Sequence, residues 1–245
     1  MKTVWDYTER AATYDMRADY SYEAITEVIN RFDLCESDLI ADIGAGTGKL
    51  TKLLLKSHDH IYAVEPNERM RNIGMKNVTN PNVTWREGIG ERTGLESDTF
   101  KATFFGSSFN VVNQKQALGE VQRILKPQGW FCCMWNHRDI LDPVQASIEK
   151  LILNRIPDYD YGTRRQDPSE IINASGIFKQ VEKVSRQFSV EMRRDDIIAA
   201  WKSHDTLFRQ AADKFDAIIE DISHALSEER YTVPYATNVW FAQLI

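Results

Sequence analysis

Three glycines stand at alternate positions in the run Asp42-Ile43-Gly44-Ala45-Gly46-Thr47-Gly48-Lys49-Leu50. Alternate glycines admit positive φ and remove the Cβ atoms that would keep a ligand off the backbone. A second acid, Glu65, follows 21 positions after Gly44, where Ile61-Tyr62-Ala63-Val64 runs into Glu65-Pro66. A carboxylate can accept from both hydroxyls of a ribose at once. Together these residues suit the holding of a nucleoside, with backbone N–H groups around a turn and an acid for the sugar. Met70, one helical turn beyond Pro66, is placed to lie under a base.

Such residues work only if regular elements bring them together. Leu39-Ile40-Ala41 leads into the glycines, and Leu50, Leu53 and Leu54 lead out at helical spacing. The pattern predicts a strand over about 38–43, a turn, and a helix over about 48–57. The helix would start with unpaired N–H groups facing the turn. An ATP loop needs G-x-x-x-x-G-K-[ST]; position 43 is Ile and position 50 is Leu, so the chain fails that pattern twice. A dinucleotide turn needs a small residue where Lys49 stands. S-adenosylmethionine carries no phosphate and asks only that the turn clear its sugar and methionine chain.

Further strands are expected at Val83–Arg86, at Ala102–Gly106 and from Phe131 to Trp135, with a helix over 113–125. The fourth strand runs into Ser107-Ser108-Phe109-Asn110 and the fifth into Asn136-His137-Arg138-Asp139, two polar clusters at the ligand end. The order β-α-β-α-β-β-α-β predicts a doubly wound, mostly parallel α/β sheet. Beyond 136 the pattern gives helices over 142–156, 168–175, 195–202 and 206–226. An extended stretch is expected within 178–192 and a β-rich end over 231–245, where Pro234 favours an edge or a bulge. Residues 1–20, with Trp5, Tyr7, Tyr14, Arg17 and Tyr20, have too few aliphatics for a core helix and read as a segment folded over something. Ser21 is a candidate N-cap for a helix over 21–32. One domain is expected over 1–245, its core at about 33–138 and 177–245 and cap elements at about 1–32 and 140–226.

The D-x-G-x-G-x-G run resembles motif I of the class I SAM-dependent methyltransferases. Arg123-Ile124-Leu125-Lys126-Pro127-Gln128-Gly129 resembles their R-x-L-K-P-G-G turn, with Gln128 in place of the first glycine. With Glu65, these motifs make residues 38–135 similar to the type-11 (UbiE/trans-aconitate methyltransferase-like) group. The resemblance implies a Rossmann-like sheet of seven strands, six parallel, with the strand at about 231–242 antiparallel. It implies S-adenosylmethionine as cofactor, touched by Tyr14, Arg17, Asp42, Gly44, Ala45, Gly46, Gly48, Glu65, Pro66, Met70, Gly90, Glu91 and Ser107. It also implies a small organic acceptor with an O, N or C nucleophile. Ser108, Asn110, Asn136, Arg138, Trp201 and His204 are the candidates to line its pocket, with His137 as candidate base; Trp135, Tyr161 and Trp240 are further aromatic candidates. Gly106-Ser107-Ser108-Phe109 stands where methyltransferases of adenine or glutamine nitrogen carry N/D-P-P-Y/F, which argues against those acceptors. His58 and His60 read as surface residues at the opposite end of the sheet.

A net charge of −6 and a pI near 5.5 argue against a protein that grips nucleic acid through phosphates. Cys35, Cys132 and Cys133 match no zinc pattern and read as reduced structural residues. Without an apolar leader or a stretch of membrane length, a cytoplasmic protein with no membrane partner is expected. Three other readings compete: an NAD-dependent oxidoreductase, disfavoured by Lys49; a tRNA or protein methyltransferase, disfavoured by the acidic charge; and a non-catalytic SAM-binding regulator, which would lack an acceptor pocket.

Overall fold

In a computed structural model, which describes residues 15–161 and 166–245, the first part of the chain supplies five strands. They are β1 (Leu39–Ile43), β2 (Ile61–Val64), β3 (Val83–Arg86), β4 (Phe100–Gly106) and β5 (Leu125–Arg138). Two more, β6 (Glu182–Arg193) and β7 (Arg230–Gln243), complete one sheet in the order β3-β2-β1-β4-β5-β7-β6. The first five are mutually parallel; β7 pairs antiparallel with both β5 and β6. Six strands therefore share one direction and β7 opposes them, as expected for 231–242. Pro234 is not on an edge strand, since β7 lies between β5 and β6. It sits one residue beyond the last β5 pair, Arg138 with Tyr235, where its carbonyl accepts from Asp139 N at 3.1 Å and no N–H of its own is asked for on that side. A residue without an N–H is tolerated at such a point.

The central strands are apolar on both faces because helices cover both. On one side Phe131, Cys133 and Trp135 of β5 pack with Ala41, Ile43 and α4 (Gln114–Ile124). On the other, Cys132 and Met134 pack with Ile40, Phe104 and the helices α1 (Tyr22–Ile29) and α2 (Lys49–Leu54). Burial pushes the Cys132 and Cys133 thiols well above their usual range; Cys35, by contrast, is exposed. Ser21 caps α1 as its position suggested, its Oγ accepting from Ala24 N at 3.2 Å. Gln128 adopts φ +60°, the left-handed conformation that a glycine would supply without strain, so the turn into β5 keeps its shape despite the substitution. Arg123 of the same motif donates to Leu95 O at 2.7 Å and to Glu120, whose Oε1 also receives Thr93 N at 2.7 Å, clamping the β3–β4 connection onto α4.

The cap is smaller than the ranges 1–32 and 140–226. Helix α1 belongs to the sheet layer. So do α6 (Ser169–Ala174), through Ile172, and the strand β6. What lies over the ligand end is α5 (Pro143–Arg155), α7 (Arg194–Lys202), α8 (Asp205–Ala211) and α9 (Phe215–Ala225), which share a third apolar cluster with Met192, Val233 and Tyr235. The single helix expected over 206–226 is broken: Ala212 takes φ +48° and a short 3₁₀ turn, Ala212–Lys214, joins α8 to α9. Ala211 and Phe215 are both buried in the cap cluster on either side of the break, so packing overrides a locally helix-favouring sequence. Among the described residues, no helix is long and apolar enough to cross a membrane. His58 is a further correction: it is buried, with Nε2 2.6 Å from Asp38 O.

Candidate active site

The turn after β1 is built by its backbone. Gly44 sits at φ +73°, and a Cβ there would lie 2.4 Å from Ser108 Cβ, so Ser108 can pass directly beneath the turn. Ser108 Oγ donates to Ile43 O at 2.5 Å and fastens the end of β4 to the end of β1. Gly48, at φ +85°, starts α2, and a side chain there would strike Val78. Glu65, at the end of β2, closes the turn from the side: Oε2 accepts from Gly46 N at 2.9 Å and Oε1 from Asn67 N at 2.8 Å. Burial raises its pKa against these hydrogen bonds. Each oxygen retains a further lone pair. Met70, buried on the first turn of α3 (Glu68–Asn77), reaches to within contact distance of Gly46.

Asp42 is fully buried behind the turn. Its Oδ2 accepts from Thr51 Oγ1 at 2.6 Å, while Oδ1 has no hydrogen-bond partner among the described residues. Burial, aided by the nearby Glu65 charge, raises its pKa to about 7.

Residues 15–20 lie over this turn as a strap. Asp15 accepts from Thr47 Oγ1 at 2.5 Å and from Asn77 Nδ2 at 3.0 Å. Lys49 Nζ donates to Arg17 O at 2.8 Å and to Asp19 Oδ1 at 2.7 Å. The residue that excluded a dinucleotide turn therefore anchors the strap. Arg17 reaches across to the cap, its guanidinium donating to Ser203 Oγ at 2.9 Å and to Ser203 O. Tyr20 OH donates to Ser107 Oγ at 2.9 Å over the end of β4. Ser107 itself holds φ +57°, an uncommon conformation for a residue with a side chain, of the sort found at ligand sites.

Strap, turn and cap border a partly open cavity of about 140 Å³. It runs from Asp42, Gly44, Ala45 and Gly46, past Ser107, to Asn136, His137 and Arg138. Tyr161, Trp201, His204 and Tyr235 form its far wall. A glycine turn after the first parallel strand, an acid at the end of the second and a cavity continuing to the fifth could seat a nucleoside at one end and a second small molecule at the other. Residues 41–133 match a family model described as a methyltransferase domain.

Residues 41–133 are thus similar to type-11 methyltransferase domains. An uncharacterized methyltransferase of Schizosaccharomyces pombe is 35% identical over 125 residues, which are 50% of this chain and 49% of that one. The chain spans about half the length of the curated relatives it matches. A methyltransferase structure from Anaeromyxobacter dehalogenans superposes with a TM-score of 0.65 at 16% identity, covering 93% of this chain and 97% of that one. A phosphoethanolamine N-methyltransferase of Haemonchus contortus, in complex with phosphomonomethylethanolamine and S-adenosylhomocysteine, gives 0.57 at 12% identity, covering 100% and 61%. At these identities the two structures establish the Rossmann-like methyltransferase fold.

Around this cavity the residues expected from the sequence divide. Arg17, Asp42, Gly44, Ala45, Gly46, Ser107, Asn136, His137, Arg138, Trp201 and His204 border the cavity; Tyr161 does as well. Gly48, Glu65, Pro66 and Met70 lie just outside its lining, around the turn. Gly90 and Glu91 are away from the lining: Gly90 packs against Val112 and Phe105, and Glu91 Oε1 accepts from Asn113 N at 2.6 Å. Ser108 and Asn110 are buried under the turn, off the lining. Trp135 and Trp240 pack against each other in the core, ring centroids 4.5 Å apart and tilted by 33°. Tyr14 lies outside the described residues.

Both histidines of the cavity wall have specific partners. His137 Nδ1 is 3.2 Å from Asn238 Nδ2. With Asn238 donating, a neutral His137 ring carries its proton on Nε2 and presents a donor. Service as a base at Nε2 requires the Asn238 amide turned so that its oxygen accepts from Nδ1–H. His204 caps α8, Nδ1 accepting from Leu207 N at 3.2 Å, with its ring 5.3 Å from that of Trp201. Asn136 is a tether: Nδ2 donates to Asp19 O at 2.9 Å and Oδ1 accepts from Thr237 Oγ1 at 2.6 Å.

Sequence reasoning missed Lys49, Tyr20, Gln145, Ile140, Tyr235 and the latch residue Ser203 as parts of the site. Gln145 left a trace, since it shares one apolar face of α5 with Ile148 and Ile152. Ser203 left none, standing 186 positions from its partner Arg17.

Proposed function

We propose that the protein transfers a methyl group from S-adenosylmethionine to a small organic acceptor. The observation that carries this reading is the continuous cavity joining the glycine turn to the polar end of β5 beside an aromatic cap. The residues present fit the cofactor: the turn lacks Cβ atoms, Glu65 keeps lone pairs for two hydroxyls, and Asp42 Oδ1 is an orphaned buried acceptor. Asp42, Gly44–Gly46, Gly48, Glu65, Pro66 and Met70 would hold the nucleoside, with Arg17, Tyr14 and Ser107 toward the methionine end. Gly90 and Glu91 would act only through the loop they shape, because their present contacts are structural.

When bound, S-adenosylmethionine supplies a methyl group on a positive sulfur for in-line displacement. The chain's own task is orientation, which can contribute about 7–11 kcal/mol in well-aligned systems. Asn136, His137 and Arg138 face the acceptor side, and Trp201, Tyr161 and Tyr235 wall it. A cavity of about 140 Å³ suits a small acceptor rather than a duplex or a folded protein. The buried thiols of Cys132 and Cys133, with no disulfide, suit the reducing cytoplasm.

Thermal unfolding with S-adenosylmethionine, S-adenosylhomocysteine and NAD tests the reading. The first two should raise Tm by mass action and NAD should not; a shift with NAD alone would overturn it. Once an acceptor is found, His137→Ala should leave cofactor affinity within about twofold and cut turnover by about 10²-fold if the ring takes the proton. A change in turnover of less than about threefold would reduce His137 to a wall residue.

A further inference from the structure

Arg138 ends β5 and is half-buried in the cavity wall. Its guanidinium carbon lies 4.3 Å from the centroid of the Trp201 ring and 5.9 Å from that of Tyr235. Both rings belong to the cap side, and both line the same cavity. Ring contacts occupy the faces of a guanidinium and leave its edge, where all five N–H donors lie. Among the described residues no hydrogen bond or ion pair engages that edge.

The other charges on the wall are differently placed. Lys49 is paired with Asp19 at 2.7 Å, and Arg17 is latched to Ser203. Asp42, the one acid among the described lining residues, has its pKa raised to about 7 and one oxygen held by Thr51. Among the described residues the lining thus carries a surplus of positive charge, and Arg138 is the cation with no hydrogen bond or ion pair to the protein. Its N–H donors have no protein partner among the described residues and open on the cavity, where a ligand can take the place of water. A planar fork of N–H donors matches an oxyanion better than any neutral group. Gln145 on the same wall adds a buried amide whose Oε1 has no partner among the described residues, suited to an O–H or N–H elsewhere on the ligand.

We propose that the methyl acceptor is an anion and that Arg138 holds its oxyanion, carboxylate or phosphate, in a two-pronged hydrogen bond. This rests on the methyltransferase reading but concerns only the acceptor half of the cavity. Arg138 would then select substrates by charge.

The test is an NMR titration of the Trp201 indole N–H and the Arg138 Nε–H, with and without saturating S-adenosylhomocysteine, at constant ionic strength. Acetate and inorganic phosphate are the anionic probes and acetamide the neutral one. The expected result is a saturable shift of both signals with at least one anion and none with acetamide. The Trp201 response should weaken at least tenfold in Arg138→Gln and partly return in Arg138→Lys. A larger response to acetate assigns a carboxylate, and a larger response to phosphate a phosphate ester. Absence of any saturable shift, an equal response to acetamide, or a Trp201 response unchanged in Arg138→Gln would overturn the proposal. So would a tenfold loss of S-adenosylhomocysteine affinity in Arg138→Gln, which would assign the guanidinium to the cofactor's own carboxylate. Failure of S-adenosylhomocysteine to bind the unaltered protein would count against methyl transfer, while the anion titration without it would still decide the role of Arg138.

Discussion

The two ends of the cavity are built on different principles. At the glycine turn the site is mostly backbone: Gly44 over Ser108, Gly46 N on Glu65, Gly48 opening α2. At the cap the site is mostly side chains brought together from distant parts of the chain: Arg17 on Ser203, Asn136 between Asp19 and Thr237, Arg138 on Trp201. A backbone site is inseparable from the sheet that makes it, so damage there should cost stability and binding together. A side-chain site sits on top of a sheet already complete without it. Damage there should cost access or acceptor recognition first.

The hardest blow to the turn is Gly44→Val. It combines a left-handed φ with a Cβ placed 2.4 Å from Ser108 Cβ. Strain and overpacking together should remove about 4 kcal/mol, read by denaturant unfolding, and binding of S-adenosylhomocysteine should vanish with it. Retained binding in a folded variant would show that the turn is not the cradle.

Asp42 gives the next largest effect, and it depends on pH. Its folded pKa of about 7 lies above the ordinary 3.8. Between about pH 4 and 7 the folded form keeps a proton that the unfolded chain has lost, so this group makes stability fall as pH rises through that window. Above pH 7 the penalty is constant, at most on the order of 4 kcal/mol. Asp42→Asn, which can still accept from Thr51, should match the unaltered protein near pH 4 and exceed its stability at pH 8. Equal stability of the two proteins at both pH values would remove the burial argument.

The smallest effect belongs to the cap latch. Ser203→Ala should cost only about 1 kcal/mol of global stability while speeding hydrogen exchange of the amides at 17–20, because the strap opens locally before the sheet does. A loss as large as that of Gly44→Val would erase the contrast between the two ends.

The same contrast explains what could be read from the chain before folding. The glycines, Glu65 and the apolar strand runs are local patterns, and they yielded the parallel part of the sheet and the turn; the antiparallel β7 came with the family resemblance. The cap resisted because its contacts join residues such as Arg17 and Ser203, 186 positions apart, with no shared pattern. The break at Ala212 lies in a helix-favouring run and answers to the burial of Ala211 and Phe215. Gly90, Glu91, Ser108 and Asn110 occupy positions near the ligand end, but their side chains or backbone face inward to support loops and strands. Spacing along a strand fixes which end a residue occupies; what it faces there is decided by the layers packed against it.

The central claim is that the turn and Glu65 hold the nucleoside of S-adenosylmethionine. Calorimetric titration of S-adenosylhomocysteine into the unaltered protein and Glu65→Gln tests it most directly. The prediction is one-site binding to the unaltered protein, weakened by about 1.5–3 kcal/mol in the variant, the worth of a hydrogen bond to a charged group. No binding by the unaltered protein, or equal affinity in the folded variant, would contradict it.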